Sequence, residues 1–157
     1  MIRPLKKEEI KAASDLGDEI YPSSLSESLE SFEKRFLLFP KGFLGLFDGK
    51  KLAGYIIGHP WKGEDVVPLD YLGELPDEPD CFYIHDLAVS PSLRRKGFGR
   101  KLIETAIDVG KNSGFKKFML VAVNEKAKCI FEKFGFKLIK EISYGDGVKS
   151  YKMIGLL

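Results

Sequence analysis

The sequence predicts a mixed α/β fold with a central strand–helix–strand–helix unit. Along the chain, short continuous apolar runs, which are typical of buried strands, alternate with apolar stripes at helical spacing. Polar stretches containing Gly or Pro separate these segments. The length of 157 residues is that of one domain, and a chain of this size can bury enough surface to fold without disulfides. We therefore expect a single domain over residues 1–157.

The first predicted elements are a short strand and two helices. A helix is predicted over residues 7–20, after the first strand. Ser24 and Glu27 have the spacing of a capping box, which predicts that a second helix starts there. This helix ends at Pro40, and its apolar stripe consists of Leu25, Leu29, Phe32 and Phe36.

A β-hairpin and a long polar segment follow. The apolar runs 43–47 and 52–57 flank Asp48-Gly49, a pair that supplies the positive φ values of a tight turn. Residues 58–80 are polar and contain four prolines. A loop of this length in a compact domain is usually functional or disordered.

The second half of the chain alternates strands and helices. Residues 81–89 predict a strand covered on both faces, interrupted only by His85 and Asp86. Further strands are predicted at 118–123, 136–142 and 150–156. One intervening helix buries Leu102, Ile103, Ala106, Ile107 and Gly110, and the next, which ends at Gly135, buries Ala127, Ile130, Phe131 and Phe134.

The composition argues against several classes of protein. Cys81 and Cys129 lie in apolar runs, so we expect buried, reduced thiols and neither a disulfide nor a metal site. No stretch approaches the roughly 20 apolar residues of a membrane span, and the N-terminus lacks a signal-peptide core. We expect a cytoplasmic protein that binds neither metal nor membrane.

Charge is divided unevenly along the chain. Residues 58–80 carry seven acidic side chains against one lysine, whereas residues 92–140 carry thirteen Lys/Arg against four Asp/Glu. The division suits two unlike ligands, one cationic and one anionic, but on charge alone solvated loop and helix faces are the favoured explanation.

The most informative stretch joins the strand at 81–89 to the following helix. Gly97 and Gly99 carry no side chain, so backbone N–H groups at the start of this helix can approach the oxygens of a phosphate. On their own, two glycines also fit a simple strand-to-helix turn whose cations face water. The full turn reads Arg94-Arg95-Lys96-Gly97-Phe98-Gly99-Arg100.

At these residues the sequence resembles the GNAT superfamily of N-acetyltransferases. Arg94-x-x-Gly97-x-Gly99 after a Leu-Ala-Val triplet is similar to the superfamily's Arg/Gln-x-x-Gly-x-Gly/Ala signature, and Asn124-x-x-Ala127 followed by Phe-Gly-Phe is similar to a second block. The resemblance implies a GNAT fold: a mixed central sheet, helices on both faces, and parallel fourth and fifth strands that splay apart. Phe39-Pro40, the Gly45–Gly49 run, Ile56–Gly58, Trp61 and His85 further resemble the arylalkylamine and polyamine N-acetyltransferase branch.

The resemblance implies acetyl-CoA as acetyl donor, bound between the splayed strands. The amides of residues 95–100 would hold its pyrophosphate, and the backbone of Leu87 and Val89 would pair with the pantetheine arm. The Val89 N–H would act as oxyanion donor. Transfer would be direct, without a cysteine nucleophile. The implied cofactor-binding set is Leu87, Ala88, Val89, Arg94, Arg95, Lys96, Gly97, Phe98, Gly99, Arg100, Asn124, Ala127 and Phe131.

An acceptor amine must lose a proton before it attacks. His85 is the implied catalytic base, since the branch has a histidine there and imidazole titrates near neutrality. Tyr83, two residues earlier on the same strand face, would carry a water between His85 and the amine. The alternative for His85 is a structural histidine bonded to backbone. Asp86 is expected on the opposite face, paired with an Arg or Lys of a covering helix.

Phe131 departs from the family pattern. Many members have a tyrosine at this position, which protonates the departing thiolate. Water, Tyr144 or Tyr151 could supply that proton here, or the thiolate could leave unprotonated. The remaining explanation is that the chain is a slow or non-catalytic relative of these enzymes.

The expected acceptor is a primary amine on a small molecule, an arylalkylamine or a polyamine. The acidic segment would attract it, and the expected substrate-binding side chains are Pro40, Phe43, Trp61 and Tyr71. A peptide or protein lysine as acceptor, or a non-catalytic acyl-CoA-binding module, are the alternatives. Nucleic acid is not expected as a partner, because the phosphate turn accounts for much of the basic charge. A homodimer is compatible with the sequence.

Overall fold

A seven-stranded sheet with helices on both faces forms the protein, and the computed structural model describes all 157 residues. The helices are α1 (Ile10–Ile20), α2 (Leu29–Leu38), α3 (Phe98–Asn112) and α4 (Glu125–Glu132). The strands are β1 (Ile2–Pro4), β2 (Phe43–Asp48), β3 (Lys51–Trp61), β4 (Cys81–Val89), β5 (Lys117–Ala122), β6 (Lys137–Tyr144) and β7 (Val148–Leu156). The predicted order of elements is confirmed.

The strand order in the sheet is β1-β2-β3-β4-β5-β7-β6. All neighbours are antiparallel except β4 and β5, which are parallel and pair only over Phe82–Ile84 and Phe118–Leu120. Beyond Ile84 and Leu120 the two strands separate, so the edges that they turn toward each other leave backbone groups without a strand partner. The predicted splay of the fourth and fifth strands is therefore confirmed.

Two hydrophobic cores lie on opposite faces of the sheet. On one face α3 packs its predicted stripe, including Leu102, Ile103 and Ala106, against Phe82 and Phe118. On the other face α1 and α2 pack around Phe32 and Tyr55, whose rings meet edge to face at 5.9 Å. No helix is both long and apolar enough to cross a bilayer.

The start of α2 differs from the prediction. Ser28, not Ser24, is the N-cap, and its hydroxyl accepts a hydrogen bond from the Ser31 N–H at 3.2 Å. Glu27 lies before the helix, and its carboxylate is buried against other side chains. The capping-box spacing mispredicts the start of α2 because it reflects only local hydrogen bonds. The Glu27 side chain is instead held by tertiary contacts.

Two further expectations change. The predicted hairpin turn is present, with Gly49 at φ +62°, but β3 continues past Ile57 to Trp61 and so takes in residues assigned to the polar segment. Pro60 is tolerated there because this end of β3 pairs only with β4. Cys81 is buried as expected, whereas Cys129 is exposed on α4, so the prediction for Cys129 is wrong.

Candidate active site

A cavity of about 90 Å³ lies in the gap between the separating ends of β4 and β5. Leu87, Ala127 and Phe131 line it on the side of α3 and α4, and Tyr21, Leu25 and Leu69 cover it on the other. Its walls are mostly hydrophobic, with Glu27, His85 and Asp86 as the titratable exceptions beside three tyrosines. The volume holds about three water molecules at ~30 Å³ each, enough for a small reacting group.

The turn before α3 presents free backbone donors beside this gap. Gly97 has φ +82°, and α3 starts immediately after it with no side chain capping its first N–H groups. A Cβ placed on Gly97 or Gly99 would meet no atom within 4 Å, so the space in front of these amides is open. Unfilled N–H groups and the positive end of a fifteen-residue helix form a site for phosphate oxygens.

Basic side chains surround this turn. Arg95, Lys96 and Arg100 are exposed. The Arg94 Nε donates to the Val89 carbonyl at 3.0 Å, which ties the turn to the end of β4. The predicted phosphate turn is thus placed beside the open end of β4, where the resemblance puts acetyl-CoA.

A β-bulge in β4 sets the directions in which the His85 and Asp86 side chains point. Ile57 pairs with Asp86 and the next residue of β3, Gly58, pairs with Ile84, so His85 is an extra residue in β4. Because of this insertion, both His85 and Asp86 point toward the face that carries α1 and α2. The expectation that Asp86 lies on the opposite face from His85 is therefore wrong.

Glu27 is the centre of a buried polar cluster. Its Oε1 accepts from Arg35 at 3.2 Å and from the Asp70 backbone N–H at 2.9 Å, and lies 3.2 Å from His85 Nε2. The side chains of Glu27, Arg35 and His85 are only 3%, 4% and 1% exposed. Burial raises the pKa of the Glu27 carboxyl, but His85 and Arg35 more than offset this and lower it to about 2.

A second histidine extends the cluster. His59 Nε2 lies 3.1 Å from His85 Nδ1, and His59 Nδ1 lies 2.9 Å from the Pro60 carbonyl oxygen. Burial lowers the pKa of His59 well below its ordinary value, and a charged His85 lowers it further. Both ring nitrogens of His85 are therefore occupied, which leaves none to reach an acceptor amine and argues against its implied role as base.

Asp86 pairs with neither an Arg nor a Lys side chain, contrary to the prediction from the sequence. Its Oδ2 accepts from the Tyr55 hydroxyl at 2.8 Å. Tyr21 lies beside the same carboxyl but donates its one hydroxyl proton to the Leu87 carbonyl. Burial, followed by the charge of Glu27, raises the pKa of Asp86 to about 7.

Other predicted site residues are placed as follows. Leu87, Ala127 and Phe131 line the cavity, and Asn124 caps α4 by accepting from the Ala127 N–H at 2.8 Å. The Asn124 amide N–H₂ remains available to a ligand. The Tyr83 hydroxyl is buried and has no hydrogen-bond partner.

The expected substrate-binding side chains do not converge on the cavity. Phe43 is fully buried in the core, edge to face with Phe36, and Pro40 is exposed at the short turn before β2. Trp61 and Tyr71 pack on each other at 5.3 Å, outside the cavity. For Phe43 and Pro40 the assignment is corrected, because the first is buried under α2 and the second is exposed and does not line the cavity.

The two tyrosines considered as acids are separated by the structure. Tyr144 lines the cavity and its hydroxyl donates to the Val67 carbonyl at 2.7 Å. The carboxylate of Glu125 beside the Tyr151 hydroxyl raises the pKa of Tyr151 to about 12, and Tyr151 does not line the cavity.

A second, open groove of about 570 Å³ adjoins the cavity and shares the walls Leu69 and Tyr144 with it. It runs along β6, the edge strand of the sheet, and contains Lys140, Lys152 and Asp65. Several acids of the segment after β3 are engaged elsewhere, in the ion pairs Glu74–Lys34, Glu78–Lys62 and Asp80–Lys117. The acidic segment therefore contributes little free charge to the groove.

Several residues of the site were not identified from the sequence. His59 lies in the segment predicted to be polar, Glu27 is predicted as part of a capping box, and no pattern in the sequence singles out Arg35. The sequence contains one indication that His59 belongs to the site. His59 lies two residues after Ile57, so a continued strand places both side chains on the same face of the sheet.

Comparison with solved structures shows the fold. Ard1 from Thermoplasma volcanium superimposes with a TM-score of 0.78 at 18% identity, covering 100% of this chain and 97% of that one. The NatC complex bound to Gag peptide and CoA gives 0.80 at 22%, covering 100% and 98%. The GphF GNAT-like decarboxylase in complex with isobutyryl-CoA gives 0.84 at 16%, covering 99% and 98%.

Sequence comparison identifies the family. A UPF0039 protein of Schizosaccharomyces pombe is 29% identical over 85 residues, a match that spans 53% of this chain and 56% of that protein. The model of the acetyltransferase (GNAT) family matches residues 10–136, which include α3, its phosphate turn and the splayed strands. The chain therefore belongs to the acetyltransferase (GNAT) family.

Proposed function

We propose that this acetyltransferase acts on the primary amine of a small molecule whose body is apolar, the arylalkylamine class. The observation that carries acetyl transfer is the end of β4, which has no strand partner on its β5 side, beside the open amides of Gly97–Arg100. A thioester in this gap would lie within the small cavity, with its phosphates on the turn and α4 on its other side. Phe131 would pack against the acyl end.

The shape of the two cavities supports this acceptor class. The inner cavity has room for an amino group and one or two carbons, so the rest of the acceptor must lie in the groove that shares Leu69 and Tyr144. Val66, Pro68 and Ile142 give this groove apolar surface, whereas Lys140 and Lys152 would repel a second ammonium group. A monoamine with an apolar arm therefore fits better than a polyamine.

A peptide N-terminus is the second candidate acceptor. The groove follows the edge strand β6, whose unpaired backbone can accept an extended chain, and its two lysines suit an acidic side chain. The NatC structure, which is similar in fold, was solved with a peptide. The two candidate acceptors differ in their dependence on Lys140 and Lys152. A peptide with an acidic side chain would bind to these lysines, whereas an amine with an apolar arm would not.

Thiol release from acetyl-CoA with a panel of acceptors tests the proposal. Turnover with phenylethylamine and little with spermidine is the expected result. Turnover only with peptides, and its loss in Lys140→Ala, would replace the first candidate by the second. Tight binding of CoA without thiol release from any acceptor would instead indicate a non-catalytic acyl-CoA-binding module.

A further inference from the structure

The hydrogen bonds of the two histidines can be counted, because a histidine ring that is neutral carries one proton. Three contacts run in a line: Pro60 carbonyl to His59, His59 to His85, and His85 to Glu27. Each contact needs one proton between its two heavy atoms. Two neutral rings supply two protons, so a third must be present on a ring or on the Glu27 carboxyl.

The position of the third proton follows from the partners at each end. The Pro60 carbonyl can only accept, so His59 Nδ1 donates to it and His59 Nε2 accepts from His85 Nδ1. His85 Nε2 then faces Glu27, which also accepts from Arg35 and the Asp70 N–H and is therefore held as a carboxylate. His85 carries the third proton as an imidazolium, in spite of the burial that favours its neutral form.

An imidazolium whose two protons are both bound to other residues cannot accept another proton. Asp86 differs on this point. It is the next residue of β4, lines the same cavity, and receives the Tyr55 hydroxyl on Oδ2, with the Tyr21 hydroxyl beside the same carboxyl. Its other oxygen retains lone pairs for an ammonium group in the cavity.

On the basis of the proposed function, we propose that Asp86 is the catalytic base, and that Glu27, His85 and His59 form a proton-filled unit that positions it. The unit fixes the bulge that directs Asp86 into the cavity. His59, His85 and Glu27 are thus positioning residues that do not exchange protons with the acceptor.

The reaction balances with these groups. The acceptor ammonium gives one proton to Asp86, and the nitrogen lone pair forms the C–N bond to the thioester carbonyl carbon. The C–S bond breaks as the intermediate collapses, the second proton lost by the nitrogen passes to the sulfur to give the CoA thiol, and Asp86 returns its proton to solvent. Net products are the amide, CoA thiol and one proton.

The surroundings of Asp86 suit a base that works near neutrality. Burial and Glu27, from the α1–α2 loop, favour its protonated form, whereas Tyr55 of β3, Tyr21 after α1 and Arg35 of α2 favour the carboxylate. The neighbouring His85 imidazolium also favours the carboxylate. The resulting pKa of about 7 lets Asp86 accept a proton and release it again at physiological pH.

The pH dependence of kcat/KM with phenylethylamine tests the base assignment. In the wild-type protein kcat/KM should rise to a plateau above about pH 7, where Asp86 is ionised. Asp86→Asn should lose about 100-fold or more at pH 7.5, and the deficit should shrink about tenfold per pH unit up to pH 10, because only the neutral amine then reacts. CoA affinity measured by calorimetry should stay within threefold.

Two variants provide the comparison. His85→Gln should lower the level of the profile but keep its plateau, because the base remains. Asp108→Asn, at an exposed position on α3, should leave the profile unchanged. A plateau retained in Asp86→Asn and lost in His85→Gln would overturn the assignment and restore His85 as base. Absence of turnover in the wild-type protein would overturn the proposed function together with the base assignment.

A second measurement needs no activity. The chain contains only two histidines, so ¹⁵N spectra of its imidazoles are assigned with one His59→Gln variant. At pH 7.5 we expect one ring with both nitrogens protonated and one ring protonated only on Nδ1. Two singly protonated rings would overturn the proton count.

Discussion

Replacing Asp86 by Asn should stabilise the protein, and the gain should depend on pH. Burial raises the Asp86 pKa from 3.8 to about 7. As pH rises between these values, the unfolded chain loses this proton before the folded chain does, so ionisation favours unfolding. About three pKa units at ~1.36 kcal/mol each give an upper limit of about 4 kcal/mol above pH 7.

Asn resembles the protonated form of Asp and can still accept from Tyr55, so Asp86→Asn removes this cost with little change in packing. Urea unfolding at pH 5 and pH 8 measures it. The stability gain should be about 1–2 kcal/mol at pH 5 and about 2–3 kcal/mol larger at pH 8. Most of the increase should occur below pH 7, the folded pKa.

Asp108→Asn is the matched control, since Asp108 is exposed on α3 and forms no ion pair. Its stability difference from the wild-type protein should be the same at both pH values. If Asp86→Asn gave the same difference at pH 5 and pH 8, the carboxylate would not be held in a site that disfavours its charge. The physical basis for its role as base would then be lost.

Three further changes test other parts of the site. Gly99→Leu should leave the unfolding free energy of the ligand-free protein within about 1 kcal/mol of the wild-type value, because a Cβ there meets no atom. The same change should weaken CoA binding at least tenfold in calorimetry. Equal affinity would show that the phosphates bind elsewhere. Phe131→Tyr should raise kcat if thiolate protonation limits the rate, and an unchanged kcat would show that the absent hydroxyl was never limiting. Glu27→Gln should destabilise the protein by about 3 kcal/mol at pH 7, because it leaves the buried Arg35 without its carboxylate; unfolding curves that coincide with the wild type would contradict this. Stability from Glu27 should be lost as pH falls from 4.5 toward 2.

The order of elements and the glycine-containing turn before α3 could be predicted from the sequence. The stripe of α3 and the glycines of its phosphate turn are local signals, since helical spacing and the absence of a Cβ can be read from neighbouring residues. The splay of β4 and β5 came with the family resemblance, and the pairing of only three residues on each strand confirms it.

The acceptor side could not be predicted in the same way. The bulge at His85 shifts the strand alternation by one residue, so period-two reasoning placed Asp86 on the wrong face. Glu27, Arg35, His59 and His85 come from four separate segments, and the bonds between them appear only after the chain has folded. Local spacing around Glu27 favoured a helix cap, whereas long-range ion pairing determined its position.

In the proposed mode of binding, the two substrates are recognised by different parts of the chain. Donor contacts would come from main-chain amides and from the edge of β4 that faces β5, which change little when side chains are replaced. The acceptor walls come from the α1–α2 loop, the segment after β3 and the β6–β7 turn, where Gly145 packs directly on the Ser24 carbonyl. Mutations in these three surface connections can therefore retarget the enzyme to new amines through evolution without disturbing how it holds the thioester.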